Sequence, residues 1–346
     1  MTTSQDIDPV HGSVTRDRVY RSLAFEESDV CPYYIWIDAQ MMEPLARHYE
    51  DDDFRDTYIR DYTVMTEIVA RRHPVGGGMF RDDYGTVWRE GNIPHVEQPA
   101  LGAPSLRGYT FPDLSTDEHL AALPDWFSRY HDRFRIVQLG MLFFERTWAM
   151  RGFENILVDL YEAPEFVGEL LDNLEQVCAR IIDRLIERFG PQIDAIGLSE
   201  DYGGEHAMLL SPAMWRRFIK PRLARLVAKI RAAGKKVYIH SCGHVVPIIP
   251  DLIEIGVDML QPLQPEAMDI FALKREFGRD LCLVGGISAQ RTIPFGTPDQ
   301  IVREVQACLH TMAKGGGYIM APAKPIPAGT PLGNAVALVD AMVRQE

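Results

Sequence analysis

Two residues apart, His240 and Cys242 stand in the run His240-Ser241-Cys242-Gly243-His244, directly after the apolar stretch Val237-Tyr238-Ile239. In a strand, residues i and i+2 share a face, so the imidazole and the thiol point the same way. Together they are donor types that zinc takes. Two ligands do not make a site, since structural zinc needs four protein ligands and catalytic zinc about three. The alternative is one buried cysteine beside one satisfied histidine. Glu200-Asp201-Tyr202 follows another apolar stretch, 193–198. Adjacent side chains of a strand face opposite ways, so one carboxylate is expected to line a pocket while the other caps a loop or pairs with an arginine. A carboxylate so placed binds a cation, accepts a proton or helps to hold a metal, and Tyr202 beside it is a candidate substrate contact. Asp82, after Phe80-Arg81, carries the same ambiguity and leans towards hairpin structure. Arg81, Gln261 and Lys324 are further candidate substrate contacts. The glycine triplets 76–78 and 315–317 are not phosphate loops, because neither opens a helix.

These residues need a scaffold that gathers strand ends. Short β-type runs alternate with amphipathic helices, which predicts βαβ units and a parallel sheet. Strands are expected at 31–37, 78–81, 136–139, 193–198, 237–239, 257–260, 281–284 and 318–320. Helices are expected from Pro212 to Gly234 behind the cap Ser211, from 246 to 255, 269 to 277, 297 to 312 and 332 to 342, with a long helical stretch from 154 to 189 that breaks at Pro164. Eight strand–helix units favour a closed (β/α)8 TIM barrel in a single domain, 1–346, whose chemistry sits where strands end and βα loops begin. Residues 84–125, rich in Pro and Gly, read as an inserted hairpin and loop excursion over the barrel mouth.

The chain has 346 residues, 46% hydrophobic and 25% charged, with a net charge of −13. An acidic surface repels phosphate backbones, so nucleic acid is not an expected partner. No apolar run is long enough for a membrane helix, and the first 20 residues lack a signal-peptide core. Five scattered cysteines without a C-x-x-C pair suit reduced thiols. A cytoplasmic protein is the expectation.

The runs Tyr238 to Val245, Gly256 to Pro265, Gly285 to Ser288 and Gly315 to Pro322, with Leu198 to Gly203, Ser211-Pro212 and Thr15 to Val19, follow one another at the spacing of uroporphyrinogen decarboxylase-like proteins, and the chain resembles them over about residues 14–344. The resemblance implies a (β/α)8 barrel and one of two chemistries. Decarboxylases of this kind remove carboxyl groups without a cofactor; relatives move methyl groups between corrinoid proteins and thiols or folates, with zinc activating the thiolate. The arginine-rich motif by which the decarboxylases grip their substrate is missing here, since no Arg or Lys occurs from Ser22 to Ala46. Asp82 does stand at the position of their catalytic aspartate. His240 and Cys242 match the zinc pair of the methyltransferases, whereas Lys324 stands where their third ligand, a cysteine, would be. Glu200, Asp201 or Gln261 is then the candidate to complete a weaker zinc site. The expectation is a methyltransferase with a small methylated substrate or a methylated corrinoid protein as donor and a thiol or folate as acceptor. The corrinoid would come on a separate protein. Asp201, Glu200, Asp82 and His240 are the catalytic candidates. The alternatives are a decarboxylase of a smaller carboxylated substrate and a non-catalytic corrinoid- or tetrapyrrole-binding barrel.

Overall fold

The computed structural model describes residues 11–91 and 93–345. Its strands are β1 (Thr63–Ile68), β2 (Arg72–Gly76), β3 (Met79–Asp82), β4 (Val87–Arg89), β5 (His95–Gln98), β6 (Phe134–Leu139), β7 (Ala195–Ser199), β8 (Lys236–His240), β9 (Met259–Leu263), β10 (Cys282–Ile287) and β11 (Tyr318–Pro322). The fold is α/β, with a seven-stranded sheet ordered β1-β6-β7-β8-β9-β10-β11 and a four-stranded antiparallel meander, β2-β3-β4-β5. Strands β6, β9, β10 and β11 are buried at every position. A parallel strand covered on both faces reads as a continuous apolar run rather than an alternation, which is why these were legible.

Two strand expectations are corrected. Residues 78–81 are not a strand of the main sheet; they form β3 of the meander, pairing with β2 and β4. The strand missed was β1, Thr63-Val-Met-Thr-Glu-Ile68, which is buried only at its two ends, alternates half-buried and exposed positions between them, and carries little apolar run. Residues 31–37 make only isolated bridges, Tyr33 to Met320 and Ile37 to Ile326, among the described residues. One register step beyond Tyr33–Met320 stands Pro322, which has no N–H to donate, and the Ile35 amide is taken by Asp61 Oδ1 at 2.7 Å. The hairpin expected to open the 84–125 excursion exists as β3–β4, but it starts before residue 84, within a meander that already begins at Arg72.

Three of the expected helices start where a side-chain cap places them. The Ser211 hydroxyl accepts from the Met214 amide at 3.2 Å, Asp269 from Ala272 at 2.9 Å, and Thr297 with Gln300 forms a capping box before Pro298–Thr311. The helix expected from Pro212 to Gly234 breaks in two, Pro212–Phe218 and Lys220–Ala232. Pro221 has no N–H for the carbonyl one turn back, so the ladder cannot continue through it.

The chain forms two compact units. One comprises the described residues up to Met65, Trp126–Ile136, and those from Asp258 on; β9, β10 and β11 form its sheet, with β10 in parallel register to both neighbours. The other comprises Thr66–Asp125 and Val137–Val257. In it the long helix Pro164–Phe189 buries one full stripe, and the meander packs Phe80 and Trp88 on Ala149. No helix among the described residues is long and apolar enough to cross a membrane.

Candidate metal centre

The second unit holds the candidate centre, and strand register builds it. Strands β7 and β8 pair in parallel with Ser199 opposite His240. Continuing that register past the strand ends sets Asp201 against Cys242. The backbone confirms it: the Glu200 amide donates to the His240 carbonyl at 2.9 Å, and the Cys242 amide donates to Asp201 Oδ1 at 2.8 Å. Tyr202 N–H donates to the Ser241 hydroxyl at 3.0 Å, which extends the stitching one residue further.

The loops beyond these ends touch through glycine. The His244 amide donates to the Gly204 carbonyl at 2.7 Å. A Cβ on Gly203 would lie 2.6 Å from His244 N and 2.7 Å from the Cys242 carbonyl oxygen. Gly243 has φ +79°, and a Cβ there would lie 2.4 Å from the Gly203 oxygen. Only glycine allows two backbones this close.

Asp201, His240 and Cys242 each offer one ligand atom, and the three atoms lie within 4.8 Å of one another. Cys242 Sγ is 3.3 Å from His240 Nε2, and Asp201 Oδ1 is 3.7 Å from the same nitrogen. Ligands held about 2.0–2.3 Å from a tetrahedral zinc stand roughly 3.2–3.8 Å apart, so both separations fit that ion. The donor set also fits: a thiol, an imidazole and a carboxylate are the three ligand types zinc favours.

The neighbouring carboxylates diverge as their adjacency requires. Glu200 is fully buried and accepts from the backbone amides of Phe143 at 2.5 Å and Glu145 at 2.6 Å. It thereby satisfies orphan donors at the start of helix Phe144–Arg151, which has no side-chain cap of its own. Burial, then repulsion from Glu145, pushes the Glu200 carboxyl up, against the pull of the two amides. Burial, then Asp201, likewise pushes Glu145 up. Glu145 and Asp201 line a cleft of about 370 Å³ together with Trp148, Phe153, Gly203 and Leu209. Nearby, Glu67 accepts from the Gln138 side chain at 3.0 Å and is pushed up by burial. Sequence reasoning missed Glu145 and Glu67. The signal for Glu145 was its place just after the end of β6; Glu67 lay in the strand that was not recognised.

Asp82 is engaged elsewhere. It is buried, and its carboxylate accepts from Thr86 N at 3.0 Å, Trp88 Nε1 at 3.0 Å and Arg146 Nη1 at 2.7 Å. The Arg146 guanidinium also lies 4.1 Å from the Tyr84 ring centre, which locks the hairpin to helix Phe144–Arg151. Arg81, next to it on β3, is exposed. Tyr202 is buried edge-on against Trp215 with ring centres 5.6 Å apart, which is a packing position. In the other unit, Gln261 is buried within β9 and donates to the Tyr34 hydroxyl at 2.9 Å, while Lys324 follows β11 and is half-buried.

Residues 89–345 match the family model described as Uroporphyrinogen decarboxylase (URO-D). The chain is 32% identical over 133 residues to a methylcobamide:CoM methyltransferase MtaA of Methanosarcina barkeri, covering 38% of this chain and 37% of that one. It is 23% identical over 259 residues to a methylated-thiol–coenzyme M methyltransferase of Methanosarcina mazei, covering 73% and 66%. The chain thus spans between about a third and two thirds of these relatives' lengths. A uroporphyrinogen decarboxylase of Nitrosospira multiformis is 25% identical over 319 residues, covering 87% and 78%. Among solved structures, a methyltransferase from Methanosarcina mazei superposes with a TM-score of 0.70 at 17% identity, covering 96% of this chain and 98% of that one, which establishes a shared fold.

Proposed function

Because this chain belongs to the uroporphyrinogen decarboxylase (URO-D) family, we propose that it is a methyltransferase that works with zinc at Asp201, His240 and Cys242, taking the methyl group from a small methylated substrate or a methylated corrinoid protein and passing it to a thiol or folate. The convergence of those three ligand atoms within 4.8 Å is the observation that carries the reading. Two methyltransferases among its relatives support it. The eight-stranded closed barrel of such enzymes is part of the proposal; the bridge from Tyr33 to Met320 and the Tyr62 amide donating to the Tyr33 carbonyl at 2.9 Å support it.

Zinc bound here would supply the Lewis acidity that keeps an acceptor thiol ionised at neutral pH. The protein's own part is positional. The Cys242 amide fixes the Asp201 carboxylate, and the Gly203–Gly243 contact fixes the two loops. Trp148, Phe153 and Leu209 give the cleft an apolar wall that disfavours water beside the transferred methyl group. Its lining carries two carboxylates and no cation among the described residues, which suits a neutral or cationic methyl donor and disfavours a polycarboxylate.

Decarboxylation is the second reading, favoured by the longer match to the Nitrosospira relative. Against it, the Asp82 carboxylate is buried and already bound by three donors. The test is thiol-dependent demethylation of methylcobalamin, followed by its visible spectrum, beside a uroporphyrinogen assay. Demethylation that stops after exhaustive stripping of zinc, returns when zinc is restored and is abolished in Cys242→Ala is expected. Porphyrinogen turnover without demethylation would overturn the proposal.

A further inference from the structure

In the first unit, a pocket of about 270 Å³ opens where the strands begin, not where they end. Tyr62 immediately precedes β1 and Arg133 immediately precedes β6. Arg18, Arg60, Arg133, Tyr33, Tyr58 and Tyr62 line it. Three guanidinium groups around one small pocket stand out in a chain with net charge −13.

Much of this donor capacity is unspent. Among the described residues, the Arg60 side chain has no hydrogen-bond or ion-pair partner, although its charge reaches the Tyr62 phenol. The Arg133 side chain is only 9% exposed, yet its direct contacts are long, the Arg60 carbonyl at 3.4 Å and Asp132 at 3.5 Å, and the buried Asp61 carboxylate, which its charge also reaches, is itself bonded to Arg55 and the Ile35 amide. Arg18, which pairs with Asp29, donates to the Tyr62 oxygen at 3.2 Å, so the phenolic proton of Tyr62 is left to donate elsewhere. Tyr33 and Tyr58 are already committed, to the Ile59 carbonyl at 2.6 Å and Asp340 at 2.9 Å, and serve as walls. A buried guanidinium without strong partners is costly, and an anion with several acceptor oxygens answers it.

We propose that this pocket binds a phosphate-type dianion, free or as the head of a phosphomonoester, held by Arg60, Arg133 and the Tyr62 hydroxyl. Planar guanidinium groups match phosphate oxygens geometrically, and the volume admits the head group with a short tail. It lies at the end of the strands that does not carry chemistry in parallel α/β folds, so the site is one for binding rather than turnover.

The experiment is calorimetric titration and thermal melting with inorganic phosphate at constant ionic strength, against chloride. Saturable binding and a phosphate-specific rise in melting temperature are expected in the wild type. Arg60→Gln should weaken phosphate binding at least about tenfold while melting unchanged without phosphate, and Arg60→Lys should retain part of the binding. Glycerol 3-phosphate binding more tightly than phosphate assigns the site to an ester; equal or weaker binding assigns it to the free ion. Identical responses to phosphate and chloride, or an Arg60→Gln protein that binds phosphate like the wild type, would overturn the proposal.

Discussion

Asp201 reaches across from the end of β7 to accept the Cys242 amide at 2.8 Å, and the same oxygen stands 3.7 Å from His240 Nε2. One hydrogen bond therefore orients the carboxylate towards the imidazole–thiol pair. Removing one ligand from such a set should weaken zinc at least about tenfold, by analogy with the effect of losing even an outer partner. Asp201→Asn and Cys242→Ala should each lose zinc on mild dialysis against chelator, while the wild type retains it. Zinc per chain, measured by elemental analysis, decides. Retention by both variants would move the metal, if any, elsewhere.

Gly203→Ala should disable the centre without touching a ligand. The added carbon would meet the backbone of His244 and Cys242 at under 3 Å, so one loop must shift. The expected outcome is a zinc affinity as poor as that of Cys242→Ala, with a melting temperature lowered by a few degrees. A variant with wild-type zinc content would mean that the loops tolerate separation.

Much of this centre was legible because it follows from strand periodicity. His240 and Cys242 had to share a face, and Glu200 and Asp201 had to part. Which carboxylate would join the pair depended on the β7–β8 register, which no single segment encodes. Glu200 was expected to act in catalysis; its burial on the amides of Phe143 and Glu145 was invisible because that helix start lies 55 residues away. Strand β1 was missed because its Thr and Glu positions gave no apolar run, and the meander supplied a decoy at residues 78–81. The capped helices, by contrast, announced themselves through local residues alone.

The Arg146–Asp82 pair tests whether Asp82 is structural. Both side chains are 5% exposed and their atoms are 2.7 Å apart. Arg146→Ala strands a buried carboxylate and should cost about 3–5 kcal/mol in urea unfolding. Asp82→Asn, combined with Arg146→Met, should recover part of that loss, because the amide oxygen still accepts from Trp88 and no charge is left behind. A catalytic Asp82 would instead give folded, stable single variants that lack activity.

Asp251 provides a pH-dependent prediction away from the candidate centre. Its carboxylate is 8% exposed and accepts from Arg216 at 2.8–3.1 Å and from Lys220 at 2.7 Å. Arg216 first, then Lys220, holds the carboxyl below its ordinary value despite the opposing pull of burial. A group whose folded value is depressed stabilises the fold fully above its unfolded value, about 4, and ceases to do so as pH falls through the folded value. Asp251→Asn should therefore melt a few degrees below wild type from pH 8 down to 5, and the gap should close below pH 4. Because Arg216 is half exposed, 1 M salt should narrow the gap at pH 7. A gap that stays constant down to pH 3 would show that Asp251 acts through shape and neutral hydrogen bonding rather than through its charge.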